Sequence, residues 1–149
     1  MENLWGYELV FPEDVLYSLE LLWVKEENGK IRAGLSDIIV RSAKKLVTIK
    51  MTCDAGVSVN KGDSIGTVET SKAVREIITP VSGTVTAVNP EISAGDPALI
   101  MKDPYGKGWL VEIEKTGDTD AQLKELMKGD ENETKEWLEE QAEDIVPMA

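Results

Sequence analysis

Ile65-Gly66-Thr67-Val68-Glu69-Thr70-Ser71-Lys72-Ala73-Val74-Arg75-Glu76-Ile77-Ile78 reads as a strand, a turn and a second strand. Apolar residues populate both arms, and Ser71-Lys72 falls between them. The turn is weakly announced, because two-residue hairpin loops favour Asn or Gly where φ is positive and Ser71-Lys72 supplies neither. Just downstream, Pro80-Val81-Ser82-Gly83 turns the chain again: Pro80 has no N–H for a ladder, and Gly83 is free to take a bend. These residues frame a stiff platform for Lys72. A lysine on a turn is ordinarily a solvated charge, but one held at a hairpin tip also suits covalent attachment.

Outward from this hairpin, short apolar runs punctuated by Gly, Asp and Pro continue from Leu21 to about Ile113, the pattern of many short strands in a sandwich or barrel. Leu21-Leu22-Trp23-Val24 and Ile31-Arg32-Ala33-Gly34-Leu35 flank Asn28-Gly29, a strong hairpin signal. Further strands are expected at 45–51, 65–70, 74–79, 83–89 and 109–114. Ser36 to Lys44 is expected to be a short internal helix, capped by Ser36, with Ile38, Ile39 and Ala43 on one face.

Past Thr116 the period becomes helical. Thr119-Asp120-Ala121-Gln122 has the form of a capping box, Leu123, Leu126 and Met127 make an apolar stripe, and Gly129 stops the helix. A second amphipathic helix starts near Glu131 and carries Trp137, Leu138, Ala142 and Ile145; its Glu-rich remainder reads as a solvated face, with partner docking the minor alternative. Residues 1–20 mix aromatics and acids without a period and read as an arm docked on the body. The expected division is therefore 1–20 arm, 21–116 β domain and 117–149 helical segment. Val59-Asn60-Lys61-Gly62-Asp63 and Ile92-Ser93-Ala94-Gly95-Asp96 form a faint repeat, each followed by an apolar segment. If real, it relates two half-sheets by a pseudo-twofold axis.

Composition removes several function classes. With 28 acidic and 16 basic residues the net charge is -12, and no basic stripe interrupts it, so nucleic acid is an unfavourable partner and basic protein surfaces are favourable ones. The chain has no histidine, hence neither the usual neutral-pH base nor the commonest zinc ligand. Cys53, the single cysteine, has no internal disulfide partner and reads as a structural residue in a reducing compartment. No apolar run approaches the ~20 residues that span a bilayer, and residues 1–20 hold no Lys or Arg. A cytoplasmic protein is expected, with neither nucleic acid nor membrane as partner.

Glu69-Thr70-Ser71-Lys72-Ala73 resembles the Glu-Ser-x-Lys-Ala lipoylation motif of the glycine cleavage system H proteins. Asp103-Pro104-Tyr105-Gly106-Lys107-Gly108-Trp109-Leu110 resembles that family's Asn/Asp-Pro-Tyr-Gly-x-Gly-Trp-Leu segment, and Pro80-Val81-Ser82-Gly83 and Val88-Asn89 fall at its spacing. The similarity runs from roughly Leu9 to Met127. It implies a mainly β fold, a barrel-sandwich hybrid of two antiparallel sheets of the lipoyl/biotinyl type, with a short internal helix and C-terminal helices. It also implies lipoate in amide linkage on Lys72, with Glu69 and Gly83 at positions associated with recognition by the lipoylating enzyme. Taken alone, Gly106, Gly108 and Trp109 read as a turn and a core anchor, and Glu69 as a solvated strand residue.

By the same resemblance the chain is a carrier and not an enzyme. It would pass an aminomethyl group between a pyridoxal-phosphate glycine decarboxylase and an aminomethyltransferase, with dihydrolipoamide dehydrogenase restoring the arm and a lipoate ligase or lipoyltransferase installing it. The chain departs from the family at Glu20-Leu21-Leu22-Trp23, where H proteins usually read Glu-His-Glu-Trp, and at 45–53. Its arm, with Phe11-Pro12-Glu13-Asp14, resembles H-like lipoate-binding proteins of the heterodisulfide-reductase-like sulfur-oxidation system, which gives a second reading as a carrier of sulfur intermediates. An unmodified interaction module is the reading of another class. Biotin carriage is disfavoured because no methionines flank Lys72.

Overall fold

The computed structural model describes residues 8–41, 46–71, 73–92, 95 and 97–145. In chain order the first elements are β1 (Leu16–Tyr17), β2 (Leu22–Glu27), β3 (Lys30–Leu35), helix α1 (Asp37–Val40), β4 (Leu46–Met51) and β5 (Ser58–Val59). There follow β6 (Ser64–Thr70), β7 (Val74–Ile78), β8 (Gly83–Val88), α2 (Ala98–Lys102), β9 (Val111–Glu114), α3 (Thr119–Glu125), β10 (Met127–Lys128) and α4 (Asn132–Ile145). The strands form two antiparallel sheets, one ordered β10-β1-β2-β3-β9-β8-β5 and the other β4-β6-β7. This is the barrel-sandwich hybrid that the residues and the resemblance led one to expect.

One buried cluster joins both sheets. Tyr17, Trp23, Ile31, Val85 and Ile113 come from the larger sheet, and Ile49, Val68 and Ile77 from the smaller. Each buried aliphatic side chain contributes roughly 1.5–3 kcal/mol relative to exposure. The β2–β3 hairpin is registered from Leu22↔Leu35 to Glu27↔Lys30, and its loop residues Asn28 and Gly29 take φ of 54° and 77°. Those positive values are what an Asn-Gly turn supplies at little strain. On the buried side Gly34 leaves room for the Trp23 ring, because a Cβ there would stand 2.6 Å from Nε1. Trp23 Nε1 donates to the Pro104 carbonyl at 2.8 Å.

Several local expectations change in the folded chain. Ser36 stands just before α1, but among the described residues its buried Oγ has no hydrogen-bond partner; the backbone carbonyl of Ser36 accepts from Ile39 and Val40 instead. Within the described residues that helix is Asp37–Val40, and residues 42–44 of the expected span lie outside them.

Thr119 and Gln122 build no capping box. Thr119 Oγ1 accepts from Thr116 N at 2.9 Å and donates to Ser82 O at 2.7 Å, while Gln122 Oε1 accepts from Ser82 N at 2.6 Å. Ser82 thus takes the Thr119 proton and the Gln122 acceptor that a free helix would turn on its own end, while the Thr116 contact stays local. Gly129 does not stop this helix, which ends at Glu125; its N–H donates to Val15 O beside the β1–β10 pair. β1 and β10 are two residues each and have no sequence signal, since they exist only by pairing with each other and with β2.

In the repeat, Gly62 and Gly95 share a positive φ, 97° and 90°. Ser93, Ala94 and Asp96 lie outside the described residues. The apolar segments that follow diverge: Ile65 and Val68 are in β6, whereas Ala98, Leu99 and Ile100 are in α2.

Candidate functional site

β6 and β7 pair through Glu69↔Val74, Val68↔Arg75 and Thr67↔Glu76, so the two strands are held in register up to the turn. Thr70 closes it. Its N–H donates to Ala73 O at 2.8 Å, its hydroxyl donates to the same carbonyl at 3.3 Å, and Ala73 N–H donates back to Thr70 Oγ1 at 3.2 Å. A buried threonine side chain therefore does here what Asn-Gly does in the β2–β3 loop. The signal was present in the sequence as a threonine three residues before an alanine, which is too common a spacing to read.

Lys72 lies outside the described residues. Its neighbours Ser71 and Ala73 are exposed, and so are Glu69 and Val74, the latter 64% exposed. Glu69 and Val74 face outward together, as cross-strand partners must. Gly83 is in a different setting: it is buried in the larger sheet, paired with Val59, and a Cβ there would run into Ile113 Cγ2 and stand 2.5 Å from Glu114 O. Close approach of β9 is reason enough for a glycine at 83, and Glu69 and Gly83 are not brought onto one sheet.

The octapeptide 103–110 anchors the start of the chain. Tyr105 OH accepts from Asp37 N at 2.9 Å and donates to Val10 O at 2.6 Å, while Asp37 Oδ2 accepts from Val10 N at 2.8 Å. Burial pushes the Tyr105 and Tyr17 hydroxyls well above the usual tyrosine range, so both stay protonated donors. Burial also raises the Asp37 carboxyl, against the pull of the Val10 N–H and the Arg41 charge. Gly106 and Gly108 make the turn: a Cβ at 108 would sit 2.8 Å from Asp103 O. The deep tryptophan is Trp23, 2% exposed; Trp109 is half-buried, with the Arg32 guanidinium 4.7 Å over its ring.

Cys53 is buried, and burial raises its thiol, which suits a structural residue and not a nucleophile. Among the described residues no group of His, Cys, Asp and Glu is arranged to hold a metal ion. No helix among them is long and apolar enough to cross a membrane.

A hairpin closed tightly beneath exposed neighbours presents whatever its tip carries, and the comparisons bear on what that is. The family model described as glycine cleavage H-protein matches residues 15–141. The glycine cleavage system H protein of Carboxydothermus hydrogenoformans is 37% identical over 134 residues, covering 90% of this chain and 98% of that protein. The one from Salinibacter ruber is 35% identical over 119 residues, with 80% and 93% covered. The crystal structure of a glycine cleavage system H protein from Mycobacterium marinum superposes with a TM-score of 0.68 at 32% identity, covering 78% of this chain and 91% of that one. With the matched region spanning both sheets, the β6–β7 hairpin included, the chain belongs to the glycine cleavage H-protein family.

Proposed function

We propose that Lys72 carries lipoate in amide linkage and that the chain serves the glycine cleavage system as its mobile carrier. Family membership makes it a carrier subunit, not a catalyst. When bound, the lipoyl group supplies a disulfide that opens to two thiols and can take up an aminomethyl group. The observation that carries the reading is the hairpin: Glu69-Thr70-Ser71-Lys72-Ala73 spans a turn closed by Thr70 and Ala73, with Ser71 and Ala73 exposed on either side of the lysine in sequence.

The chain's own residues position and present. Three hydrogen bonds between Thr70 and Ala73 fix the root of the turn, and the register of β6 with β7 ties that root to a packed core. The exposed Glu69 fits a contact for the lipoyl-installing enzyme, a lipoate ligase or lipoyltransferase; for Gly83 such a role would act through the sheet, since the residue is buried. The remaining partners are a pyridoxal-phosphate glycine decarboxylase, an aminomethyltransferase and dihydrolipoamide dehydrogenase, encountered in the cytoplasm. A net charge of -12 favours basic docking faces on them and speeds encounter. The hard chemistry belongs to those enzymes and their cofactors.

Co-expression with a lipoylating enzyme, followed by intact-mass and peptide measurement, tests the attachment. One lipoyl adduct on the peptide holding Lys72 is expected. Reconstitution with glycine decarboxylase and the aminomethyltransferase then tests the pathway, and a fully lipoylated protein that supports no glycine turnover would remove it.

A further inference from the structure

The smaller sheet places β6 between β4 and β7, and Thr48, Glu69 and Val74 form one row across its three strands. Cross-strand partners face the same side. The row therefore lies on the outer face, opposite Ile49, Val68 and Ile77, which are each 1% exposed. On β4 the register shifts between Leu46 and Thr48, and Val47 is the extra residue there. Val47 is 45% exposed and Val74 is 64% exposed, with the exposed Glu69 on the strand between them. Among the described residues only five large apolar side chains are exposed, and two of them flank this one carboxylate.

A single exposed valine is ordinary. Two valines on the outer strands of a three-stranded sheet, about 10 Å apart with an acid between them, make a patch that a partner can cover. Its place in the chain narrows the partner. The row ends where Thr70 and Ala73 close the turn, and Lys72 is in that turn's loop. An enzyme that acylates Lys72 must bring an activated carboxyl to the lysine's own Nζ, one side-chain length from the turn, and so meets the residues beside it. Enzymes that use the finished arm meet its far end, a further eight-carbon chain away, and are free to stand off from this row. The inner face of the hairpin is packed on the body, which leaves the outer face for the acylating enzyme. Glu69 adds a negative charge at the centre of the patch, complementary to a cation.

We propose that Val47 and Val74 are docking contacts for the lipoyl-installing enzyme, whose complementary surface is apolar with a cation opposite Glu69. The proposal rests on Lys72 being the lipoylated residue. Neither valine touches the reacting atoms, so both act on recognition: they hold the substrate protein before and during acylation alike, which sets KM and leaves kcat nearly unchanged.

The test follows lipoylation of the full chain by a lipoate ligase, with intact mass as the readout and the carrier protein as the varied substrate. The ligase joins lipoate to ATP as the acyl-adenylate with loss of pyrophosphate, then forms the amide on Lys72 Nζ as AMP and a proton leave. Val47→Thr, Val74→Thr and the double variant keep a β-branched side chain of nearly the same shape and exchange one methyl for a hydroxyl; Val74→Ile keeps the apolar contact. Each Thr variant is expected to raise KM about threefold or more and the double variant about tenfold, with kcat within about twofold and Val74→Ile like the parent. Rates are taken well below the unfolding temperature of every variant, so a change in KM belongs to the surface and not to the fold. A double variant with the parent's KM would overturn the proposal and leave the attachment standing, and so would one that loses kcat alone. Normal lipoylation of the double variant with a raised KM in glycine turnover would also overturn it, by giving the face to another partner. A parent protein that gains no adduct on Lys72 overturns both the proposal and the carrier reading.

Discussion

Gly83 on β8 and Ile113 on β9 touch so closely that the space for a Cβ at 83 is already filled by Ile113 Cγ2, with the Glu114 carbonyl at 2.5 Å behind it. Gly83→Ala must therefore move backbone, and a loss of about 1–3 kcal/mol in denaturant unfolding is expected from overpacking. Lipoylation of this variant, measured by mass below its unfolding temperature, separates two roles. A folded but unmodified Gly83→Ala supports recognition, and a fully modified one leaves packing alone.

Lys72→Arg keeps the charge and removes the primary amine that acylation needs. Its unfolding free energy should change by no more than about 0.5 kcal/mol, as for an ordinary surface substitution. Mass measurement after co-expression with a lipoylating enzyme should find no adduct, and carrier activity should disappear. An active, modified Arg variant would place the attachment elsewhere.

The two family tryptophans should part company in stability. Trp23→Ala removes a fully buried ring and orphans the Pro104 carbonyl, with an expected cost of about 3–5 kcal/mol. Trp109→Ala removes a half-buried ring and its Arg32 contact, for about 1–2 kcal/mol. Thermal unfolding that ranked them the other way would contradict the burial described here.

Asp37 gives a pH dependence with a definite sign. Burial raises its carboxyl, so the folded chain holds that proton more tightly than the unfolded chain does. Stability contributed at this site therefore falls as pH rises from the ordinary aspartate value, about 3.9, through the raised folded value, and is flat above it. Asp37→Asn keeps an acceptor for Val10 N–H and has no proton to lose. The difference in unfolding free energy between parent and variant should change across that window and be constant at higher pH; a constant difference throughout would show that Asp37 titrates normally.

How much was legible in the sequence follows from which interactions are local. Asn28-Gly29 announced the β2–β3 hairpin because its own backbone preferences make the turn. The apolar runs gave β4, β6, β7, β8 and β9 to within two residues. Ser36 and Thr119 carried the right residue type for capping and use it otherwise: the Ser36 hydroxyl is buried without a cap hydrogen bond, and Thr119 donates to Ser82 O far along the chain. β1 and β10 were illegible for the same reason. The roles proposed for Lys72 and Glu69 come from the resemblance, since a solvated lysine on a turn looks the same.

Cys53 is the chain's only sulfhydryl, and it is packed away with its proton held by burial. If Lys72 carries a lipoyl disulfide as proposed, an accessible thiol on the same body would attack that closed disulfide at high local concentration and hold it as a mixed disulfide with one arm sulfur released as thiol. Burial at 53 insulates that circuit. Under that proposal, sulfur chemistry on this surface is left to the arm on Lys72.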